Sequence, residues 1–283
     1  MKGNAILLIL LAVLFAPACK KDQFEPDFAR GLHLALGNPS NAETDPNLEN
    51  NYLIVLPQYA LSYDKKRGIP NWVSWHLSQD WLGNASRQDD FRAYESLPPA
   101  WYAVKETDYE YGLNGFARGH NCPSADRTKT VEDNSNTFFM INIIPQAPDH
   151  NDQTWADLES FSRDLVRDGY ELYIIMGNTG QGGTGDKGYR EKLADGYVTV
   201  PRYIWKVIVA IPEGDDDLSR IDENTRVIAV WTENKNTTAA KNWWEYRVSV
   251  DEIEAETGLD LLSNLPDNIE SAVEAVVDAG PVH

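Results

Sequence analysis

Apolar residues along this chain gather in short β-prone runs broken by proline, glycine and asparagine, and a helical spacing appears in only a few places. Tyr52-Leu53-Ile54-Val55-Leu56 and Tyr59-Ala60-Leu61-Ser62-Tyr63 predict strands on either side of Pro57. Over residues 71–78 the pattern alternates. Val73, Trp75 and Leu77 fall on one side and Trp72, Ser74, His76 and Ser78 on the other, which predicts a half-buried strand. Further strands are expected over residues 116–120, 137–144, 170–176, 198–201, 203–211 and 226–231. After Pro145 and Pro148 a helix is expected to open at Asn151 and Asp152, both good N-cap types. Leu158, Phe161 and Leu165 then form its buried stripe, with Trp155 at the border and Glu159 and Arg163 one turn apart on an adjacent face. Two more helices are expected, over residues 251–254 and 268–277.

The first residues differ in character. Lys2 precedes an apolar run over residues 5–15, and Ala16-Pro17-Ala18-Cys19 follows, so residues 1–18 read as a secretory signal too short to span a bilayer comfortably. A cysteine directly after the cut is similar to the lipid-modified residue of bacterial lipoproteins, although Ala16 stands where leucine is usual. The alternative is a plain secreted protein cleaved after Ala18. Either way the chain is expected to be exported, with residues 19–36 as a linker and 37–283 as one folded domain, since no repeat or second linker interrupts them. With Cys19 acylated and on the membrane, Cys122 has no partner and reads as a small packing residue.

Charge complicates the picture. The chain has 25 Lys and Arg against 44 Asp and Glu, a formal net charge of −19. A nonspecific nucleic-acid binder should show a basic footprint instead. Part of the excess is local, because no Lys or Arg follows Arg247 while acids recur from Asp251 to Asp278. Any phosphate-binding cleft must therefore sit away from that end and bind weakly, in a salt-sensitive way.

Few residues invite chemistry. His120, at a strand end behind Arg118-Gly119, reads equally as a general base or a core histidine on local sequence, whereas His76 in an alternating strand reads as structural. Arg87 and Arg92 share a charged loop. By default Asn151 is a helix cap and Glu159 a surface acid paired with Arg163. Gly180, Gly182 and Gly185 fit G-x-G-x-x-G, but no helix opens behind them, so a nucleotide site is rejected. Residues 213–217 read as a solvated turn rather than a calcium loop.

Taken together, Arg118-Gly119-His120 with Pro123-Ser124-Ala125-Asp126, then Asn142-Ile143-Ile144-Pro145-Gln146 and Asn151-x-x-x-Trp155-x-x-Leu158-Glu159, resemble the DNA/RNA non-specific endonucleases of the ββα-metal class, among them endonuclease G. The resemblance runs from Gly37 to about Leu259. It implies an α+β fold, with a mixed, mainly antiparallel central sheet flanked by helices and a ββα-metal finger as active site. It further implies DNA and RNA as substrates, cleaved without sequence specificity to 5′-phosphate products. His120 would be the general base and Asn151 the direct ligand of one Mg²⁺, with Mn²⁺ or Ca²⁺ as alternatives. Glu159 would hold water on the metal, and Arg163 would support that acid or the phosphate. Arg87, with Arg92 as rival, would reach the scissile phosphate; Arg118 would contact phosphate or brace the loop. Asn142 and Gln146 would orient the hairpin. The family usually has Asp before Arg-Gly-His, and Ala117 stands there instead. That change and the acidity leave open a surface-anchored binding protein on a decayed nuclease fold.

Overall fold

A seven-stranded antiparallel sheet forms the centre of the computed structural model, which describes residues 26–282. The signal segment, Cys19 and the first part of the expected linker lie outside the described residues. In spatial order the strands are Tyr52–Val55, Ala60–Asp64, Ile69–Leu77, Tyr170–Thr179, Tyr203–Pro212, Arg226–Glu233 and Arg247–Val248.

Both faces of this sheet are buried, and that corrects the half-buried reading of residues 71–78. Val73, Trp75 and Leu77 join Leu172, Ile174, Met176, Ile204 and Ile208 in one core. Trp72 joins Tyr173, Ile175, Trp205, Val207 and Val209 in a second core on the opposite face. Strict alternation along each strand thus separates two apolar layers, and the polar residues on the mixed face are covered rather than wet. Ser74 Oγ donates to the His33 carbonyl at 2.6 Å, and the His76 ring lies 2.8 Å from Glu171 Oε2.

The second layer is closed by the helices Val250–Thr257 and Asp267–Glu274 and by Leu34 and Leu36. Residues 26–36 are therefore part of the domain rather than linker. Helix Pro26–His33 ends in a buried histidine whose Nε2 lies 2.8 Å from the Pro57 carbonyl.

The first layer carries the unit of interest. Strand Ala117–His120 pairs antiparallel with Ile143–Gln146 as a separate two-stranded hairpin. The strand expected over 137–144 begins only at Ile143. Before it, a turn that follows helix Val131–Asn136 and a 3₁₀ turn over Met140–Asn142 occupy the run. Asn142 is the cause: its amide donates to the carbonyls of Cys122 and Thr137 and accepts from Cys122 N–H, all at 2.9 Å, which holds the backbone in a turn.

The following helix also starts earlier than expected. Pro148 opens it, as proline suits a position whose N–H needs no partner. A π-helical turn over Asn151–Trp155 leads into the α-helix Ala156–Arg167. Asn151 is therefore not the cap but a residue one turn inside, aimed by a local widening of the helix of the kind that often marks functional sites. Trp155, Leu158 and Phe161 seat this helix on the sheet. Asn234, fully buried, ties the hairpin to the end of the central strands, accepting from Ala147 N–H and donating to the carbonyls of Pro145 and Pro201.

Candidate active site

Five of the seven residues singled out from sequence line one pocket of about 300 Å³: Arg87, Arg118, His120, Asn151 and Glu159, with Ser124 and Asp152 beside them. A larger hollow of about 650 Å³ shares Arg87, Arg118 and Asn151 and continues along Phe91, Glu106, Glu110 and Tyr111.

His120 is only 8 % exposed, and its Nε2 is buried without a hydrogen-bond partner. Its ring packs against Phe91 and Phe138, 5.4 and 4.8 Å between centroids. Burial, reinforced by the guanidinium groups of Arg87 and Arg118, holds its pKa down to about 3, so the imidazole is neutral at physiological pH. The chain reaches this position because Gly119 has no side chain. A Cβ there would lie 2.2 Å from Gln146 Oε1 and 2.7 Å from Gln146 Cβ across the hairpin.

Two arginines frame the histidine. Arg87 donates from Nε to Asp89 at 2.7 Å and from Nη1 to Ser124 Oγ at 3.0 Å, lies over Phe138, and is half exposed to the pocket. Arg118 pairs with Glu106 and lies 4.3 Å from the Phe91 ring centroid. Arg92 is drawn elsewhere, bonded to Asp90, the Ser135 carbonyl and Asn136 and stacked over Phe139. Geometry thus favours Arg87 over its rival.

The same pocket is lined by oxygen donors. Asn151 is half-buried and its amide donates to Asp152 Oδ1 at 2.6 Å. Glu159 turns inward rather than toward Arg163: its Oε1 lies 3.8 Å from Lys206 Nζ. Burial pushes the Glu159 carboxyl up and the Lys206 ammonium down, each restrained by the other's charge. An amide oxygen and carboxylates, with no thiolate or imidazole among them, suit a hard divalent cation that keeps much of its water.

Two expected site residues are not in the pocket. Arg163 bonds Asp126 at 2.9 Å, and Asp126, 1 % exposed, also accepts from Trp75 Nε1. Asn142 is completely buried, and its amide joins the turn at Thr137 to the backbone of Cys122, two residues after His120. Gln146 is likewise buried in the hairpin, and His150 is buried against Trp155.

This chain matches the family described as DNA/RNA non-specific endonuclease over residues 37–268. It belongs to that family. A nuclease of Nostoc sp. is 47 % identical over 247 residues, covering 87 % of this chain and 86 % of that protein. The Serratia marcescens nuclease is 28 % identical over 282 residues, covering 97 % and 95 % of the two chains. The mouse mitochondrial nuclease EXOG is 30 % identical over 71 % of this chain and 54 % of its own. In fold, the chain superposes on the structure of an EndoG/EndoGI complex with a TM-score of 0.68, at 22 % identity, over 83 % of this chain and 92 % of that one.

As a member of this divalent-metal-dependent nuclease family, the enzyme has a pocket whose inner wall sequence reasoning left undescribed. Lys206 was missed, although it is the one charged residue in Tyr203–Pro212. That signal was available, because a lone lysine in a ten-residue apolar strand must find a partner or leave the core. Asp126 was seen only as part of a motif. Its partners, Trp75 and Arg163, come from a sheet strand and a helix distant in sequence. Asn234 carried no sequence signal at all.

Proposed function

We propose that this nuclease hydrolyses phosphodiester bonds of DNA and RNA to 5′-phosphate products, with His120 as general base and Asn151 holding Mg²⁺. The observation that carries the reading is the convergence of a neutral imidazole, two guanidinium groups, a carboxamide and a half-buried carboxylate on one small pocket.

Each group has a role its surroundings suit. With Nε2 covered, Nδ1 of His120 is the nitrogen left to take the proton from an attacking water, and a low pKa keeps it free to do so. Arg87, half exposed and steadied by Ser124, is placed to donate to nonbridging phosphate oxygens. Arg118 acts beside it, restrained by Glu106. Asn151 and Glu159, with Asp152 at the mouth, would hold the cation. Bound there, a divalent ion supplies positive charge next to the phosphate and the leaving oxygen. Lys206, 3.8 Å from Glu159, opposes the upward push that burial gives that carboxyl. The larger hollow, with Phe91 and Tyr111 beside Arg118, offers apolar surface to a neighbouring nucleotide and no base-reading donors in a row, consistent with sequence-independent cutting. Its acids, Asp89, Glu106 and Glu110, weaken backbone binding, so cleavage should fall steeply with salt.

Export with a lipid on Cys19 is proposed with it, and a Cys19→Ala chain recovered from the soluble fraction would agree. The enzymatic reading is tested on plasmid DNA and on RNA with added magnesium and with EDTA. We expect clearing in magnesium, none in EDTA, and a loss of about 10²- to 10⁴-fold in kcat for His120→Ala. A His120→Ala enzyme as fast as the parent would overturn the base assignment. No cleavage by the parent in any metal would instead mark a binding protein on a nuclease scaffold, in line with Ala117.

A further inference from the structure

The face of the molecule built by the helices Val250–Thr257 and Asp267–Glu274 carries a group of carboxylates. Asp251 and Glu254, three residues apart on helix Val250–Thr257, and Glu274, the last residue of Asp267–Glu274, each bring an oxygen within 4.8 Å of the others. Asp260 and Glu270 add their charge to the same place. Among the described residues none of these five forms an ion pair. Arg247, the last basic residue of the sequence, and Arg226 are both committed to Asp278.

Glu274 supplies a separate observation. It is 6 % exposed, and its Oε1 is buried with no hydrogen-bond partner. A buried acceptor left unmatched is costly and is rare unless something binds it. Burial and the four neighbouring carboxylates push this carboxyl up to about 8. Glu254 is half satisfied, its Oε1 accepting from Leu261 N–H at 2.7 Å, which leaves the second oxygen free. Asp251 is exposed, so the group is open to solvent on one side.

We propose that Asp251, Glu254 and Glu274 form a second cation site, distinct from the nuclease pocket, which takes a calcium ion and clamps the two terminal helices together. The ligand set is oxygen only. Calcium sits about 2.3–2.6 Å from its ligands, so oxygens up to roughly 5 Å apart can share one ion, and it accepts the irregular, partly hydrated shell this face provides. The ion neutralises the repulsion that otherwise opposes packing of Ile253 and Val273 into the second core. The other comparable triad, His76, Glu171 and Asp217, does not compete, because Arg220 already bonds both of its carboxylates.

The test uses the whole chain carrying Asn151→Ala, so that the nuclease pocket is weakened as a binder, and calcium chloride as probe. Calorimetric titration should show one saturating site, and the melting temperature should rise by several degrees between EDTA and millimolar calcium. Adding Asp251→Asn with Glu254→Gln should abolish both, and Glu274→Gln alone should weaken binding roughly tenfold or more, since calcium affinity follows ligand charge. With Asn151 intact, Asp251→Asn with Glu254→Gln should leave magnesium-supported plasmid cleavage unchanged, which separates this site from the nuclease reading. Unaltered calcium binding in the substituted chains, or none in the Asn151→Ala chain, would overturn the proposal.

Discussion

Lys206 Nζ lies 3.8 Å from Glu159 Oε1, 4.8 Å from the Trp155 ring centroid and 5.6 Å from that of Trp75. The lysine is 1 % exposed and comes from the middle of a core strand, while the glutamate comes from the helix packed over it. The strand alternation that sends Trp205 and Val207 to one core sends Lys206 to the other, under the pocket. A buried charge needs a partner, and this one, Glu159, lines the candidate pocket.

Lys206→Met should keep the aliphatic filling between the two tryptophans and remove the charge that most restrains the Glu159 carboxyl. Glu159, already pushed up by burial, then rises further and is protonated at higher pH. We expect kcat/KM at neutral pH to fall about 10- to 100-fold, as for loss of a residue supporting a metal ligand, and its acid limb to move upward. A pH–rate profile reads both; an unshifted limb would mean that Lys206 serves packing alone.

Gly119→Ala puts a Cβ into the Gln146 side chain, including its Cβ at 2.7 Å. The hairpin strands must part to admit it, a cost of about 1–3 kcal/mol typical of overpacking. Melting should show that loss. Activity should fall as well, since His120 is the next residue.

Arg163→Ala should act on stability rather than on phosphate binding. It strands Asp126, 1 % exposed, with only the Trp75 donor, and breaking a buried pair costs about 3–5 kcal/mol. Arg163→Ala with Asp126→Asn should be less damaging than the sum of the two, a coupling that a double-mutant cycle on urea unfolding measures.

Acid stability should be poor for a reason independent of the carboxylates. His33, His120 and His150 are all buried with pKa values held down to about 3, against 6.5 when unfolded. A depressed pKa means that the unfolded chain takes up protons the folded chain refuses. Stability is therefore full above pH 6.5 and is lost as pH falls toward 3. Each histidine costs about 2 kcal/mol between pH 7 and pH 5. Urea midpoints across that range check it, and His150→Gln, at a ring buried against Trp155, should flatten the dependence.

Much of this was legible in one dimension. The motif run from Arg118 to Asp126 and from Asn142 to Glu159 named the family, and five of its residues do meet in one pocket. The apolar runs located most strands of the sheet to within a few residues. Strands were overextended where a side chain outbid the backbone pattern: Thr137 to Asn142 is apolar and β-prone, yet the Asn142 amide folds it into a turn. Helix starts erred because Asn151 is a good cap type, whereas Pro148 and a buried Asn234 acting from the sheet begin the helix earlier.

By itself, then, the order of residues determined which side chains are candidates for chemistry, because a histidine behind glycine and an asparagine before a Trp-Glu helix are local facts. Only tertiary structure decided what those side chains experience. Whether Asn71 to Ser78 is wet on one face, which partner Glu159 takes, and whether Arg87 or Arg92 faces the pocket all depend on what packs from elsewhere in the chain. Burial and long-range pairing set proton affinities and hydrogen-bond partners, and neither is a property of nearest neighbours in sequence.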